Sequence, residues 1–268
     1  MGEQTVLVDV VDQIATVTLN RPDRMNAWND ELAAGLSEAM VRCDEDPDVR
    51  VVILTGAGRA FCAGADLQRG GDTFDRRDRP RPERSGPNRL PHQISKPVIA
   101  AINGHAVGVG ITYPLLADVR IVARDAKIAF AFVRRGMIPE LASHAVLPRV
   151  LGFSNAADLL MTGRTILGEE AAAMGLATRA LDADEVLPAA REMAKEYLLA
   201  APVSVATAKR LMWESLEPAL SDTQRRENKI FGWFGQQSDA KEGIASFVER
   251  RTPSWTMNPA TDMPDIPA

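Results

Sequence analysis

The chain has 268 residues, enough for one large domain or a domain with an appendage, and ample for a sizeable core. Hydrophobic residues make up 46% and charged residues 25%, the balance of a globular chain, and a net charge of -5 gives no general attraction for nucleic acid. The longest apolar runs fall short of the roughly 18 residues that a membrane-spanning helix needs, the start MGEQTVLVDV reads as a strand and not as a signal peptide, and a cytoplasmic protein with no membrane partner is expected.

In chain order, Val6 to Val11 and Ile14 to Leu19 are strand-like runs broken at Asp12-Gln13, the pattern of a hairpin. Asn29 or Asp30 is placed to cap a helix in which Leu32, Leu36, Ala39 and Met40 share a face. The apolar run Val51 to Leu54 follows, so strand, helix and strand come in the order of a parallel pair with a crossover. Residues 68–91 hold seven Arg, four acids and four Pro without periodicity, which predicts a long loop. The interspersed acids and the lack of an aromatic platform argue against a nucleic-acid patch there.

Further strand-like runs are Val119 to Ala123 and Ile128 to Phe132. A turn through Arg135 to Glu140 leads to a helix expected from about Leu141 to Leu151. Ser154 is expected to cap the next helix, through Met161, and another starts at Gly168 or Glu169 and stops at Gly175. From Asp182 onward helices alone are expected, over 182–200, 204–217, 218–236 and 239–251. The pattern is an α/β core over residues 1–200 with a helical C-terminal region over 201–268. The two cysteines, Cys43 and Cys62, suggest neither a disulfide framework nor a metal site.

Two segments stand out. In Arg50 to Leu67, RVVILTGAGRAFCAGADL, an apolar strand runs into a small-residue turn, and a helix start is expected after it. In Lys96 to Gly110, KPVIAAINGHAVGVG, a strand again runs into a Gly-bearing turn before an apolar stretch. Turns of this kind leave backbone N–H groups unpaired and suit an oxyanion. The pairs Gly56/Gly58 and Gly108/Gly110 lack the third glycine of a dinucleotide-binding loop.

Together, and with Leu19-Asn20-Arg21-Pro22, Asn26-Ala27, Gly163-Arg164, Glu170-Ala171 and Gly175-Leu176, these segments resemble the enoyl-CoA hydratase/isomerase (crotonase) family over about residues 5–255. The resemblance implies a crotonase-like spiral of ββα repeats, assembled as a homotrimer or hexamer through its C-terminal helices. It implies an acyl-CoA thioester as substrate and partner, with coenzyme A entering only as part of it and no permanently bound cofactor. It places the two amides that receive the thioester oxygen on Ala65 and Val109. A β-branched Val there must avoid positive φ. It places Arg24, Ala63 and Leu67 along the coenzyme A groove and residues 68–91 beside the acyl pocket, where attraction of a phosphate by Arg76, Arg77 and Arg79 is a lesser idea.

Hydratases of this family use two glutamates. The matching positions here are Thr112 and Phe132, neither able to act as a base near neutral pH. Both are left as substrate-binding positions. Glu140, after Pro139, matches the carboxylate of isomerase-type members. One base and an oxyanion site suffice to move a double bond, so isomerase-type chemistry with Glu140 as base is expected. The plain alternative is an acid favoured in a helix first turn. His144, four residues on, is read as a satisfied helix histidine. Asp66 and Asp118 are read as structural. Two other functions stay open: a hydratase or thioester hydrolase with non-standard acids, and an acyl-CoA-binding scaffold without catalysis.

Overall fold

The computed structural model describes residues 4–75, 77, 89–216 and 219–257. It opens with the expected hairpin. β1 (Val6–Val11) pairs antiparallel with β2 (Ile14–Leu19), Val6 opposite Leu19. Asp12 and Gln13 sit at φ 50° and 66°, as a two-residue turn between right-twisted strands requires. α1 (Asp30–Glu45) begins where the Asn29 side chain accepts from the Leu32 amide at 2.9 Å, and it buries Leu32, Leu36, Ala39 and Met40. β3 (Val51–Gly56) then returns parallel to β2, with Ile14 opposite Val51.

From β3 onward the chain repeats one move. β3 leads to β4 (Ala60–Cys62), β5 (Val98–Ile102) to β6 (His105–Val107), and β7 (Val119–Ala123) to β8 (Lys127–Ala129). Two further short strands are β9 (Thr165–Leu167) and β10 (Arg179–Leu181). The first strand of each pair joins a six-stranded sheet, β1-β2-β3-β5-β7-β10, and the second joins a four-stranded sheet, β4-β6-β8-β9. Each repeat therefore advances one position in both sheets at once, which makes a spiral. Every residue of β3 and β5 is buried, as expected for parallel strands covered on both faces.

Helices cover the sheets. α2 (Val109–Leu115) follows β6; α3 (Ser143–Leu151) and α4 (Phe153–Thr162) follow β8; α5 (Gly168–Ala173) separates β9 from β10. α6 (Ala183–Leu198), introduced by the Asp182 capping box, lays Val186, Ala190 and Ala194 across β3, β5 and β7. α7 (Pro202–Glu214), α8 (Ala219–Phe234) and α9 (Ser238–Glu249) complete the described chain.

Several boundaries differ from the sequence pattern. α3 starts at Ser143 because Leu141 and Ala142 adopt φ 58° and 56°. Ser154 lies inside α4; the cap position is Gly152, at φ 76°. Pro202 opens α7 at its first turn, where a missing N–H has no consequence. Arg76 and Arg79 lie outside the described residues, and Arg77 pairs with Asp75 at 2.5 Å.

Two asparagines tie the turns at one end of the strands. Fully buried Asn26 donates to the carbonyls of Ala57 (2.9 Å) and Ala60 (2.8 Å) and accepts from the Arg21 amide at 2.8 Å. Asn103 accepts from the Gly56 amide (3.1 Å) and donates to the Gly58 carbonyl (3.0 Å). These are the asparagines of the motifs at 20–27 and 103–110, so both motifs anchor the β3–β4 connection.

A buried ion pair helps to join the C-terminal helices to the core. Lys209, on α7, has a side chain only 5% exposed and reaches Asp118 at 2.8 Å. Its ammonium also donates to the carbonyls of Pro91 (2.7 Å) and Lys96 (2.8 Å). Asp118 accepts in addition from the Val98 amide (2.7 Å) and the Trp213 indole (2.8 Å). Removing one partner strands the other in a site with little water. Lys209→Ala is therefore expected to lower the unfolding free energy by about 3 kcal/mol in urea titrations.

Candidate active site

β4 and β6 are parallel neighbours, with Ala60 opposite His105 and Cys62 opposite Ala106. Parallel pairing sets their C-terminal ends side by side. The turns that follow, 63–65 and 108–109, therefore leave the same edge. Gly64 sits at φ 102°, where a Cβ would stand 3.0 Å from the Val107 carbonyl oxygen. Gly108 sits at φ 57° and ψ -124°, and a Cβ there would be 3.9 Å from the Gly64 Cα. The two turns approach closely: Gly64 is required by both the contact and its positive φ, and Gly108 by its positive φ.

Gly108 takes the left-handed conformation, so Val109 opens α2 without positive φ and its branched side chain meets no strain. As the first residue of a helix, its amide lacks an intrahelical acceptor. Ala65 is arranged differently. It forms an isolated parallel bridge with Trp28, in which the Trp28 amide donates to Gly64 (2.7 Å) and the Asp66 amide to Trp28 (2.9 Å). The bridge uses the groups on either side, so the Ala65 amide faces the other way. Among the described residues neither the Ala65 nor the Val109 amide has an acceptor. The helix start expected after the first turn is not there: Gly70–Asp72 is a single 3-10 turn. The first donor is thus presented by strand geometry and the second by a helix N-terminus.

Both residues line one cleft of about 690 Å³. Ala63, Leu67, Phe132 and Glu140 line it as well, together with Gln68, Arg69, Thr73 and Phe74 from the long loop. Two other site candidates do not. Thr112 is fully buried, one helical turn beyond Val109 in a helix buried along its whole length, so it lies behind the cleft wall. Its hydroxyl has no hydrogen-bond partner among the described residues. Arg24 lies in the exposed turn Pro22–Arg24, outside the lining. The wall is aromatic: Phe132 and Phe231 stand 6.4 Å apart edge to face, Phe231 and Phe74 5.7 Å, and Trp28 packs on Tyr113 at 5.1 Å.

Glu140 is not in a helix first turn. It ends an extended segment, and its carbonyl accepts from the Ser143 amide at 3.2 Å and from the Ser143 hydroxyl. Leu141 and Ala142 then take two consecutive left-handed steps, each costing on the order of 1 kcal/mol. Glu227 of α8 holds that bend. Its carboxylate, 4% exposed, accepts from the Ala142 amide (2.6 Å) and the His144 amide (3.2 Å) and pairs with His144 Nδ1 at 2.6 Å. His144 thus finds its partner on another helix, not at Glu140. Sequence reasoning missed Glu227, since it lies in the polar run Arg225-Arg226-Glu227-Asn228. A signal exists: Leu220, Glu227, Phe231 and Phe234 recur at helical spacing, and a lone acid in an apolar stripe asks for a buried partner.

Other polar groups are structural. Asp66 pairs with Arg21 at 3.0 Å, linking the motif at 20–27 to the first donor turn. Arg164 bridges Asp158 (2.7 Å) and Glu170 (2.8 Å). Cys62 is fully buried, and burial pushes its thiol up to about 12, which makes it inert as a nucleophile near neutral pH.

The family model for enoyl-CoA hydratase/isomerase matches residues 10–258, and the chain belongs to that family. The (E)-benzylidenesuccinyl-CoA hydratase of Thauera aromatica is 35% identical over 260 residues, covering 93% of this chain and 98% of that one. The 1,2-epoxyphenylacetyl-CoA isomerase of Escherichia coli strain K12 is 34% identical over 267 residues, covering 94% and 98%. Among solved structures, an enoyl-CoA hydratase/isomerase from Pseudoalteromonas atlantica T6c superposes with a TM-score of 0.83 at 31% identity, over 94% of this chain and all of that one. The protein is thus an enzyme of a family whose members act on coenzyme A thioesters.

Gly64 offers a test of the paired turns. A Cβ at positive φ, against the Val107 carbonyl, strains the turn by about 1–3 kcal/mol and displaces the Ala65 amide. Gly64→Ala is expected to stay folded by circular dichroism and to bind an acyl-CoA at least tenfold more weakly by calorimetry, roughly the loss of one charge-assisted hydrogen bond.

Proposed function

We propose that the protein moves a double bond within an acyl-CoA thioester, with Glu140 as the single base. One observation carries this reading: Glu140 lines the same cleft as Ala65 and Val109, while the positions matching the two glutamates of hydratases hold buried Thr112 and apolar Phe132. In the proposed reaction the thioester oxygen accepts from the Ala65 and Val109 amides. Glu140 removes a proton from C2 of a 3-enoyl chain. The C2–H pair forms a C1=C2 bond as the carbonyl π pair moves onto the thioester oxygen, giving a dienolate conjugated with the C3=C4 bond. The same carboxyl then returns the proton at C4, leaving a 2-enoyl thioester and no net loss of atoms. Much of the developing charge sits on the oxygen, where each preorganised donor is worth about 3 kcal/mol. Ala63 and Leu67, which line the cleft, would hold the coenzyme A portion.

Glu140→Gln should lower turnover of a 3-enoyl-CoA by about 10²- to 10⁴-fold while leaving its affinity within a factor of two. Turnover is followed as double-bond migration, with water addition and free thiol read in parallel. Undiminished migration in the variant removes Glu140 from the role. Water addition or thiol release as the main reaction of the native enzyme replaces the isomerase reading with the hydratase or hydrolase one, and binding without any of the three favours the scaffold. Leu199, Val203, Leu211 and Met212, on and beside α7 and 62–83% exposed, support assembly as a homotrimer or hexamer. Sedimentation equilibrium is expected to return a multiple of three.

A further inference from the structure

The cleft carries a cation that the proposed reaction does not use. Arg135 lines it, in the turn Val133–Arg135 that follows Phe132. Its guanidinium carbon lies 3.7 Å from the centre of the Phe247 ring, a cation–π contact that restrains its position. One terminal nitrogen donates to the Arg134 carbonyl at 3.1 Å. Among the described residues no carboxylate pairs with it. The other cationic linings differ: Arg21 is paired with Asp66 at 3.0 Å, and Arg69 is exposed and reaches the Asp75 carbonyl at 3.5 Å. Burial, and then the neighbouring Arg134, push the Arg135 pKa below the usual arginine range, the mark of a charge that its surroundings do not compensate.

The placement is costly to build. Gly243 of α9 lets that helix press directly on the Arg135 backbone, where a Cβ would meet the Arg135 carbonyl carbon at 2.5 Å. A half-buried guanidinium held at an aromatic wall, with several N–H donors unspent, is suited to a planar anion. Phe132, three residues earlier, ties Arg135 to the acyl side: a Cβ on Gly108 would lie 3.9 Å from the Phe132 ring. Donor turns, Phe132 and Arg135 therefore follow one another along the wall.

Building on the acyl-CoA reading, we propose that Arg135 is a specificity determinant that binds a carboxylate carried by the acyl group away from the thioester, so that the preferred substrate is a dicarboxylic acid esterified to coenzyme A at one end. The aromatic wall of Phe74, Phe132 and Phe231 accommodates the apolar or aryl part of the chain between the two ends. The phosphates of coenzyme A are the competing source of the anion, and the test separates the two.

Affinities are measured by calorimetry for three ligands: free coenzyme A, a neutral straight-chain acyl-CoA, and the acyl-CoA of equal length ending in a carboxylate. The native enzyme should bind the carboxylated thioester at least tenfold more tightly than the neutral one. Arg135→Gln should remove that preference, with a loss of roughly tenfold or more on the carboxylated ligand and less than twofold on the other two. Arg135→Lys, which keeps charge and stem but not the fork, should lose an intermediate amount on the carboxylated ligand alone. Retained binding of the neutral thioester shows that each variant is folded. Equal weakening of all three ligands assigns Arg135 to the phosphates and overturns the proposal, as does an unchanged preference. Failure of the native enzyme to bind any acyl-CoA would instead sink the reading on which the proposal rests.

Discussion

The pairing of β4 with β6 is the constraint on which the site depends. Three residues from each strand are enough to set two chain ends side by side, and the geometry beyond them follows. Gly64 and Gly108 are then forced into contact distance, and both sit at positive φ because the chain must turn away from a neighbouring backbone at once. The two free amides are what remains when those turns have satisfied their other groups. Neither amide needs a particular side chain. Val109 is accommodated there because the residue before it absorbs the unusual dihedral angle.

The surrounding polar network keeps these turns from drifting. Asn26 and Asn103 act on the same connection, between β3 and β4, from opposite sides of the chain. Each replaces a missing stretch of ladder with side-chain bonds, and Asn26 does so fully buried, where an unmade bond costs more than a made one gains. Arg21 and Asp66 close the loop by fixing the Trp28 bridge that aims Ala65. The motifs that look like active-site residues in the sequence are therefore mostly the frame.

The sequence made legible what short-range physics decides. The hairpin at 6–19, the cap at Asn29, the parallel return of β3 and the stripe of α6 all follow from alternation, capping and helical spacing. The resemblance carried by residues 50–67 and 96–110 pointed to Ala65 and Val109, whose turns leave neighbouring strand ends. What stayed hidden was set by distant contacts. β9 and β10 have three residues each, too few for a pattern. Leu141 and Ala142 are ordinary helix formers, pulled into left-handed conformations because Glu227, eighty-five residues after Ala142, accepts the Ala142 amide. Thr112 shares a helical face with Val109 on paper, yet α2 dives into the core within one turn and carries the hydroxyl away from the cleft.

This division explains how one scaffold can serve several reactions. The placement of the Ala65 and Val109 amides comes from sheet register and a helix end, which do not depend on particular side chains. The cleft's remaining walls come from segments that are added to the spiral: the loop at 68–75, the turn from Phe132 to Glu140, and helices α8 and α9. Those segments meet the core through few points, among them Glu227 at the start of α3 and Gly243 against Arg135. A carboxylate, a phenyl ring or a guanidinium can be exchanged there without altering the strand pairing that presents the amides. The side-chain character of the cleft thus resides in residues such as Glu140, Phe132 and Arg135, whereas the Ala65 and Val109 amides belong to the backbone of the two turns.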